Sequence, residues 1–134
     1  MRRLNGGASR GVVLCMEFSD ANIGEVLARA DEASLDALDF GVIGMQRDGV
    51  VTSYNAYESR MAGLSRTRVM GKHFFTEVAP CTNNFLVASR FEESAVLDEQ
   101  LPYVFTVRMR PRAVELRLVK AHDSASQYIL VRPR

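Results

Sequence analysis

Cys81 is the side chain whose surroundings in this sequence most favour chemistry. It lies in the stretch 71–82, and the residues immediately on either side of it are small or apolar. Pro80 fixes one backbone angle just before the cysteine and biases Ala79 toward extended geometry, so the thiol is held in one direction. As a thiolate, a cysteine is a nucleophile. The alternative is an unreactive cysteine that fills the core as a small hydrophobic residue.

Tyr54 and Glu58 form a second chemical pair, four residues apart and upstream of the cysteine. If Asn55 caps a helix, Tyr54 lies at its entrance and Glu58 in its first turn, so the two side chains can point to the same side. A phenol and a protonated carboxylic acid that converge in an apolar interior can both donate to an anionic oxygen through short, strong hydrogen bonds. Spacing alone does not exclude the alternative, a solvated Glu58 near the positive end of a helix.

Two short helices are predicted ahead of this pair, within residues 17–39. Their apolar residues recur at helical spacing, and the caps are expected at Ser19 or Asp20 for the first helix and at Ser34 for the second. Helices this short are marginal in water, so they must pack on another part of the chain.

A hairpin and a third short helix are predicted to position Tyr54 and Glu58. The Asp-Gly pair at 48–49 lies between apolar runs, which predicts a hairpin that joins strands at 40–46 and 50–54. Asn55 can then begin a short helix, which Gly63 ends.

The chain after Cys81 is predicted to form one longer helix and three strands. The helix runs from the Asn-Asn pair at 83–84 to about Leu97, with an apolar face of Leu86, Val87, Phe91 and Val96. Pro102 ends the connection that follows. Alternating apolar residues predict strands at 103–110, 114–120 and 128–131. The arginines on these strands are interpreted as the solvated face of a sheet: Arg108, Arg110, Arg112 and Arg117.

This order of elements favours an α+β fold, with a five-stranded antiparallel sheet and helices on one face. PAS domains, which are sensory modules, have the same order, but a likeness of fold assigns no function by itself. The predicted organisation is a flexible extension at 1–16, an N-terminal helical cap at 17–39 and a PAS core at 40–134.

Composition and charge exclude several classes of protein. The chain has 134 residues, 47% of them hydrophobic and 25% charged, which is typical of one globular domain. Its net charge of +1 argues against nucleic acid or an acidic membrane as a partner. Cys15 and Cys81 lie in unlike contexts, so we expect free thiols and a cytoplasmic location. No apolar run has membrane-spanning length, and the isolated His73 and His122 predict no metal site.

Three motifs together carry a resemblance to a known family. They are the Phe-Gly-Val-Ile run at 40–43, the Tyr-Asn-x-x-Glu motif at 54–58 and the Phe-Phe-x-x-Val-Ala-Pro-Cys-Thr motif at 74–82. At these spacings the sequence resembles the photoactive yellow protein family, from about Phe18 to Arg132. Ordinary PAS domains share the fold and not this set of residues.

The resemblance implies a blue-light photoreceptor and not an enzyme. In that family, p-coumaric acid (4-hydroxycinnamic acid) is bound as a thioester to the cysteine that matches Cys81. The residues that match Tyr54 and Glu58 hydrogen-bond its phenolate, and the backbone N–H of Cys81 would hold the thioester carbonyl. The pocket walls implied by the resemblance are Phe74, Val78, Ala79, Pro80, Thr82, Phe105 and Met109.

The implied signal begins when light turns the trans double bond of the chromophore to cis. Glu58 then passes its proton to the phenolate, and the buried carboxylate that remains loosens the N-terminal helices. The implied partner is an unknown downstream signalling protein, with neither nucleic acid nor membrane involved, and the chain is expected to be a monomer or a weak dimer.

Three pocket positions depart from the family pattern. The family usually has a threonine at Ala62, an arginine that gates the ring at Leu64 and an aromatic residue at Val107. The sequence therefore assures no cation near the phenolate, and Tyr54 is less firmly oriented. Two alternatives stay open: a PAS protein–protein or small-ligand sensor without a chromophore, and a thiol enzyme, for which no base lies near Cys81 in sequence.

Overall fold

A five-stranded antiparallel sheet is the centre of the fold. The computed structural model describes residues 16–107, 110–121 and 125–134, with the side chain of Val107 excepted. Its strand order is β2-β1-β5-β4-β3, and every neighbouring pair is antiparallel. The strands are β1 Gly41–Gln46, β2 Val51–Tyr54, β3 Leu97–Val107, β4 Arg110–Lys120 and β5 Ser126–Pro133. The predicted fold class is confirmed.

Short helices complete the architecture. The α-helices are α1 Ile23–Arg29, α2 Glu32–Asp36, α3 Ala56–Ala62, α4 Arg66–Val69 and α5 Ala88–Glu93. Between α4 and α5 the chain makes a π-helical turn, Phe74–Val78, and a 3₁₀ turn, Pro80–Thr82. The hairpin between β1 and β2 turns at Gly49, whose φ of 93° suits glycine.

The two faces of the sheet carry two separate hydrophobic clusters. Side chains alternate along a strand, so Ile129 of β5 faces the cluster formed with α3 to α5, while Leu130 faces the opposite side. On that opposite side, Phe18, Ile23 and Leu27 pack with residues of α2. The two N-terminal helices therefore form a cap on the face opposite α3, α4 and α5.

The capping residues of the first two helices differ from those predicted. The side chain of Asp31, and not Ser34, caps α2, since its Oδ1 accepts from the Ser34 N–H at 2.9 Å. Asn22 precedes α1 without a side-chain capping bond, and Asp20 instead accepts from the Glu17 N–H at 2.8 Å. Asp31 is the cap because it stands three residues before the N–H that it binds, which is the geometry of a cap.

The predicted longer helix up to Leu97 is wrong. Helix α5 ends at Glu93 and the chain becomes extended, so Leu97 already begins β3. Val87 and Phe91 are buried as predicted, whereas Leu86 and Val96 are exposed. Pro102 lies inside β3 rather than ahead of it, opposite Glu115. Proline is tolerated there because β3 is an edge strand, where one ladder N–H is not needed.

The interpretation of the strand arginines as a solvated face is wrong for Arg117. Its guanidinium is buried and binds the Asp98 carboxylate through Nε and Nη2, both at 2.8 Å. Its Nη1 donates to the Phe18 carbonyl at 2.7 Å, which ties the cap to β4. Arg110 is exposed, and Arg108 lies outside the described residues.

The proposed division of the chain stays a prediction. Of the predicted extension at 1–16, only Met16 is described, and it is buried in the cluster under the cap. Cys15 and His122 lie outside the described residues.

Candidate functional site

Asn55 positions Glu58 at the start of α3. Its side-chain Oδ1 accepts from the Glu58 N–H at 3.1 Å and from the Val42 N–H at 3.0 Å. Its Nδ2 donates to the carbonyls of Leu35 and Phe40, at 2.8 and 2.9 Å. The predicted cap at Asn55 is confirmed, and this one buried amide joins α3 to β1 and to the N-terminal cap.

Gly41, which has no side chain, leaves the space that the Glu58 carboxyl group occupies. A Cβ atom built on Gly41 would lie 2.3 Å from Oε1 of Glu58, far inside any real carbon–oxygen contact. Any other residue at this position would displace the carboxyl group, so the start of β1 requires glycine here.

Glu58 is fully buried, and one of its two oxygens has no hydrogen-bond partner within the described chain. Oε2 accepts from Nη2 of Arg112 at 2.7 Å, and Oε1 is the oxygen left free. Burial raises the pKa of Glu58 from 4.5 to about 7, although the Arg112 cation opposes this shift. Close to neutrality, this carboxyl group can both hold and release a proton.

Tyr54, at the end of β2, remains a neutral phenol. Burial, and then the negative charge of Glu58, raise the pKa of its hydroxyl above the ordinary value, and Arg112 opposes this rise. Tyr54 is itself buried, and the effect of Glu58 on its pKa places the two groups in one electrostatic neighbourhood.

Arg112 is the neighbour of Glu58 that sequence reasoning missed. It was interpreted as solvated, yet its guanidinium pairs with Glu58 and lies 5.4 Å from the centre of the Phe105 ring. Arg112 is directly opposite Phe105 in the β3–β4 ladder. Strand alternation could have revealed this, because Arg112 shares its parity with Val114 and Leu116, which face the core.

Aromatic side chains extend from Arg112 toward the cysteine. The Phe105 ring stacks on Phe74, with centroids 6.3 Å apart and planes at 24°, and both rings are buried. Phe74 begins the π-helical turn, which the Ala79 N–H closes by donating to the Phe74 carbonyl at 2.8 Å. Such turns are rare and are frequent at functional sites.

Cys81 is half-buried beside the edge strand β3, where its backbone and its thiol are both bound. The Thr106 N–H points at its Sγ, 3.4 Å away. Its carbonyl accepts from the Tyr103 hydroxyl at 2.5 Å and from Nδ2 of Asn84 at 3.1 Å. Sequence reasoning missed Tyr103 and Thr106, and it treated Asn84 only as part of the start of a helix.

The predicted site residues differ in how far they are buried. Val107's side chain and Met109 lie outside the described residues. Pro80 is exposed, so its ring does not line a buried wall. Three residues are half-buried against the core: Leu64, Val78 and Cys81. Seven are buried: Tyr54, Glu58, Ala62, Phe74, Ala79, Thr82 and Phe105.

Comparison with known proteins places this geometry in a family. The PAS fold family model matches residues 30–132. Photoactive yellow protein of Halochromatium salexigens is 34% identical over 120 residues, which cover 87% of this chain and 96% of that protein. The chain belongs to the photoactive yellow protein family. The protein of that name from Rhodothalassium salexigens is 32% identical, with the same shares covered.

Solved structures agree with this assignment. The photoactive yellow protein domain of a sensor histidine kinase from Rhodospirillum centenum has a TM-score of 0.73 and 38% identity, covering 81% of this chain and 97% of that domain. A PAS domain of an HTR-like protein from Haloarcula marismortui has a TM-score of 0.62 at 16% identity, which shows the fold alone. Family membership therefore supports a PAS-domain photoreceptor with a chromophore.

The residues of the site fit a buried anionic chromophore. Glu58 offers an unpartnered buried oxygen, which as a carboxylic acid can donate, and Tyr54 remains a neutral phenol nearby. Phe74 and Phe105 provide a flat apolar surface. Cys81 is a free cysteine and is half-buried. Among the helices in the described ranges, none is long and apolar enough to cross a membrane.

Proposed function

We propose that this chain is a blue-light photoreceptor that carries p-coumaric acid as a thioester on Cys81. The observation that supports this most directly is the fully buried Glu58, one of whose oxygens has no hydrogen-bond partner among the residues that the structure describes. Such a group is costly unless a ligand completes its hydrogen bonding. Family membership supports the same proposal.

Attachment uses the thiolate of Cys81. Its Sγ forms a bond to the acyl carbon of an activated p-coumaric ester, the bond from that carbon to the leaving group breaks, and the thiol proton ends on the leaving group. The Thr106 N–H that reaches Sγ can steady the thiolate. The carbonyl of Cys81 is already fixed by Tyr103 and Asn84, so the residue is held in place before acylation.

Glu58 and Tyr54 bind the phenolate end. Both act as donors to the phenolate oxygen. Phe74 and Phe105 exclude water from the chromophore ring, which lies between these donors and Cys81. When bound, the chromophore supplies a double bond that light turns from trans to cis. Glu58 would then give its proton to the phenolate oxygen and become a buried carboxylate. Arg112 is its cationic neighbour in the described chain, but its desolvation would still cost several kcal/mol even after relaxation.

The N-terminal cap is the part of the chain that relieves this cost. Asn55 donates to the Leu35 carbonyl and also holds the N–H of Glu58, so the cap and the acid share one hydrogen-bonding group. Short helices are marginal without their docking surface. We infer that the chain turns over no substrate, is cytoplasmic, and signals to a downstream protein. The histidine kinase that contains the Rhodospirillum centenum domain supports such an output.

The decisive test is reconstitution. Mixing the chromophore-free protein with an activated p-coumaric ester should give a yellow protein whose mass increases by one hydroxycinnamoyl group. Cys81→Ala should stay colourless, and Cys15→Ala should colour like the wild type. A wild-type protein that gains neither colour nor mass would leave a PAS sensor without a chromophore as the function.

A further inference from the structure

The Arg112–Glu58 pair has a form that structural stability alone does not explain. The Glu58 side chain is fully buried, and only 17% of the Arg112 side chain is exposed. Among the described residues, only one of the carboxylate oxygens has a partner. A buried pair contributes to stability only when its remaining hydrogen-bonding atoms are satisfied, and Oε1 is not. The pair is therefore built to accept something further.

Strand register connects this pair to the rest of the pocket. Arg112 lies opposite Phe105, and its guanidinium is over the face of that ring, 5.4 Å from its centre. The next residue along β3, Thr106, donates to the Sγ of Cys81. Adjacent residues of β3 thus contact both ends of the proposed site. Phe105 contacts the Arg112 cation at one end, and Thr106 contacts the Cys81 thiol at the other.

We propose that Arg112 supplies the cation of this pocket, holding Glu58 as a carboxylate in the chromophore-free chain and acting as the counterion of the phenolate in the loaded chain. This inference rests on the proposed function for its second half only. It assigns to strand β4 the charge that the family usually has at the position of Leu64.

Charge is conserved between the two states. In the chromophore-free chain above about pH 7, Arg112 is positive and Glu58 negative. When a phenol enters, its proton passes to Glu58, and the phenolate takes the place of the carboxylate beside Arg112. Glu58 becomes the neutral donor that the phenolate needs. The site therefore stays neutral overall, and no charge is left without a partner.

The groups around Glu58 allow this assignment to be tested. Arg112 faces it from β4, and Asn55 holds its N–H. Tyr54 of β2 is the phenol whose pKa the charge of Glu58 raises, and Gly41 of β1 adds no side chain. Arg112 is the one cation in this set of described neighbours. Arg110 lies on the same strand and is exposed, so Arg110→Gln is a matched control for Arg112→Gln.

The first experiment uses the chromophore-free protein. The protein is labelled with ¹³C at the glutamate side-chain carboxyl carbon, Glu58→Gln assigns the resonance, and the midpoint of its pH titration is measured by NMR. An opposite charge within a few ångström lowers a carboxyl pKa by about 1–3 pH units. Arg112→Gln should raise the midpoint by about that amount, and Arg110→Gln should leave it unchanged. Each titration starts at pH 6, where Glu58 is mostly protonated. At that pH the Arg112→Gln variant contains no buried carboxylate that lacks its cation, so it can fold.

Arg112→Lys provides the conservative variant. It keeps the positive charge, so its midpoint should return most of the way to the wild-type value. A midpoint that is the same in the wild type and in Arg112→Gln would overturn the proposal, and so would a lysine variant that titrates like the glutamine variant.

The second experiment uses the reconstituted protein. The pH at which the bound phenol ionises is read from the growth of the longer-wavelength phenolate band. It should rise in Arg112→Gln, stay unchanged in Arg110→Gln and recover in Arg112→Lys. If the wild type colours and Arg112→Gln ionises at the same pH, the counterion role is wrong. If the wild type never colours, the proposed function fails, and the NMR titration still decides the charge state of the pair.

Discussion

Two arginine–carboxylate pairs lie on opposite faces of the same sheet. On the cap face, Arg117 forms two bonds to Asp98 and a third to the Phe18 carbonyl, and the acid is half exposed. On the other face, Arg112 forms one bond to the fully buried Glu58, whose second oxygen has no partner in the described part of the chain.

The difference separates a structural pair from a functional one. The Arg117 guanidinium has its bonds satisfied by the protein, so the pair holds the cap in place and offers nothing to a ligand. The Arg112 pair leaves an acceptor unsatisfied in the interior, an arrangement that costs stability and so indicates a use. Both arginines come from β4, five residues apart, and opposite parity sends them to different faces.

The largest expected effect is on the structural pair. Asp98→Ala leaves the buried Arg117 cation without its carboxylate, which should lower the free energy of unfolding by about 3 kcal/mol. Urea denaturation measures the loss. Glu99→Ala is the control, since Glu99 pairs with Arg90 at the surface and should cost less than about 1 kcal/mol. Equal losses from the two substitutions would remove the distinction.

The functional pair should instead make stability depend on pH. The pKa of Glu58 is raised from 4.5 to about 7 on folding, so between these values the folded chain holds a proton that the unfolded chain releases. Its stabilising contribution is complete below about pH 4.5 and declines as the pH rises to 7, by about 3 kcal/mol in total at about 1.4 kcal/mol per pH unit. Urea midpoints of the chromophore-free protein should fall over this range, and Glu58→Gln should flatten the decline. A decline equally steep in the variant contradicts the assignment.

Gly41→Ala tests how closely the functional pair is fitted. The new methyl group would meet Glu58 Oε1 at 2.3 Å, so the carboxyl group must move. We expect a loss of about 1–3 kcal/mol and a changed Glu58 titration midpoint by NMR. Gly71→Ala adds its methyl group in open space, at a φ of 81°. It should therefore cost backbone strain while leaving the Glu58 midpoint where it was.

The smallest and most transient effect is expected in light. Hydrogen exchange in residues 18–38 should lose protection on illumination of the reconstituted protein, while the strands from Tyr103 onward stay protected. The effect should be weaker in Glu58→Gln, which cannot give up a proton and leaves no carboxylate behind. Equal exchange in dark and light across 18–38 would show that the cap does not respond to the site.

Local signals in the sequence predicted the frame around Glu58. Asn55 and Gly63 act within one helix, so their capping roles follow from residue type and short spacing. The hairpin at Gly49 was predictable for the same reason. The family motif then located the cysteine stretch and the PAS fold.

Features that depend on strand register were not predicted. The Arg112–Glu58 pair joins residues 54 positions apart, and treating all strand arginines as one solvated face ignored the parity that separates Arg112 from Arg117. Pro102 was interpreted as the end of a connection because proline is rare inside strands. A strand tolerates proline when it lies at the edge of the sheet, as β3 does. Knowing the edge requires the order of all five strands.

Pro102 also bears on whether the outer edge of β3 can pair with a strand of another molecule. Thr106 directs its N–H outward from β3, to Cys81, and Pro102 has the same parity, so the outer edge lacks a donor at 102 and has its donor at 106 occupied. The side chain of Val104, between them, is largely exposed. An apolar edge with an unbroken row of N–H donors can pair with a strand from a second molecule, and such pairing leads to aggregation. A missing donor and an occupied one interrupt that row, so the edge of this sheet resists extension by another chain.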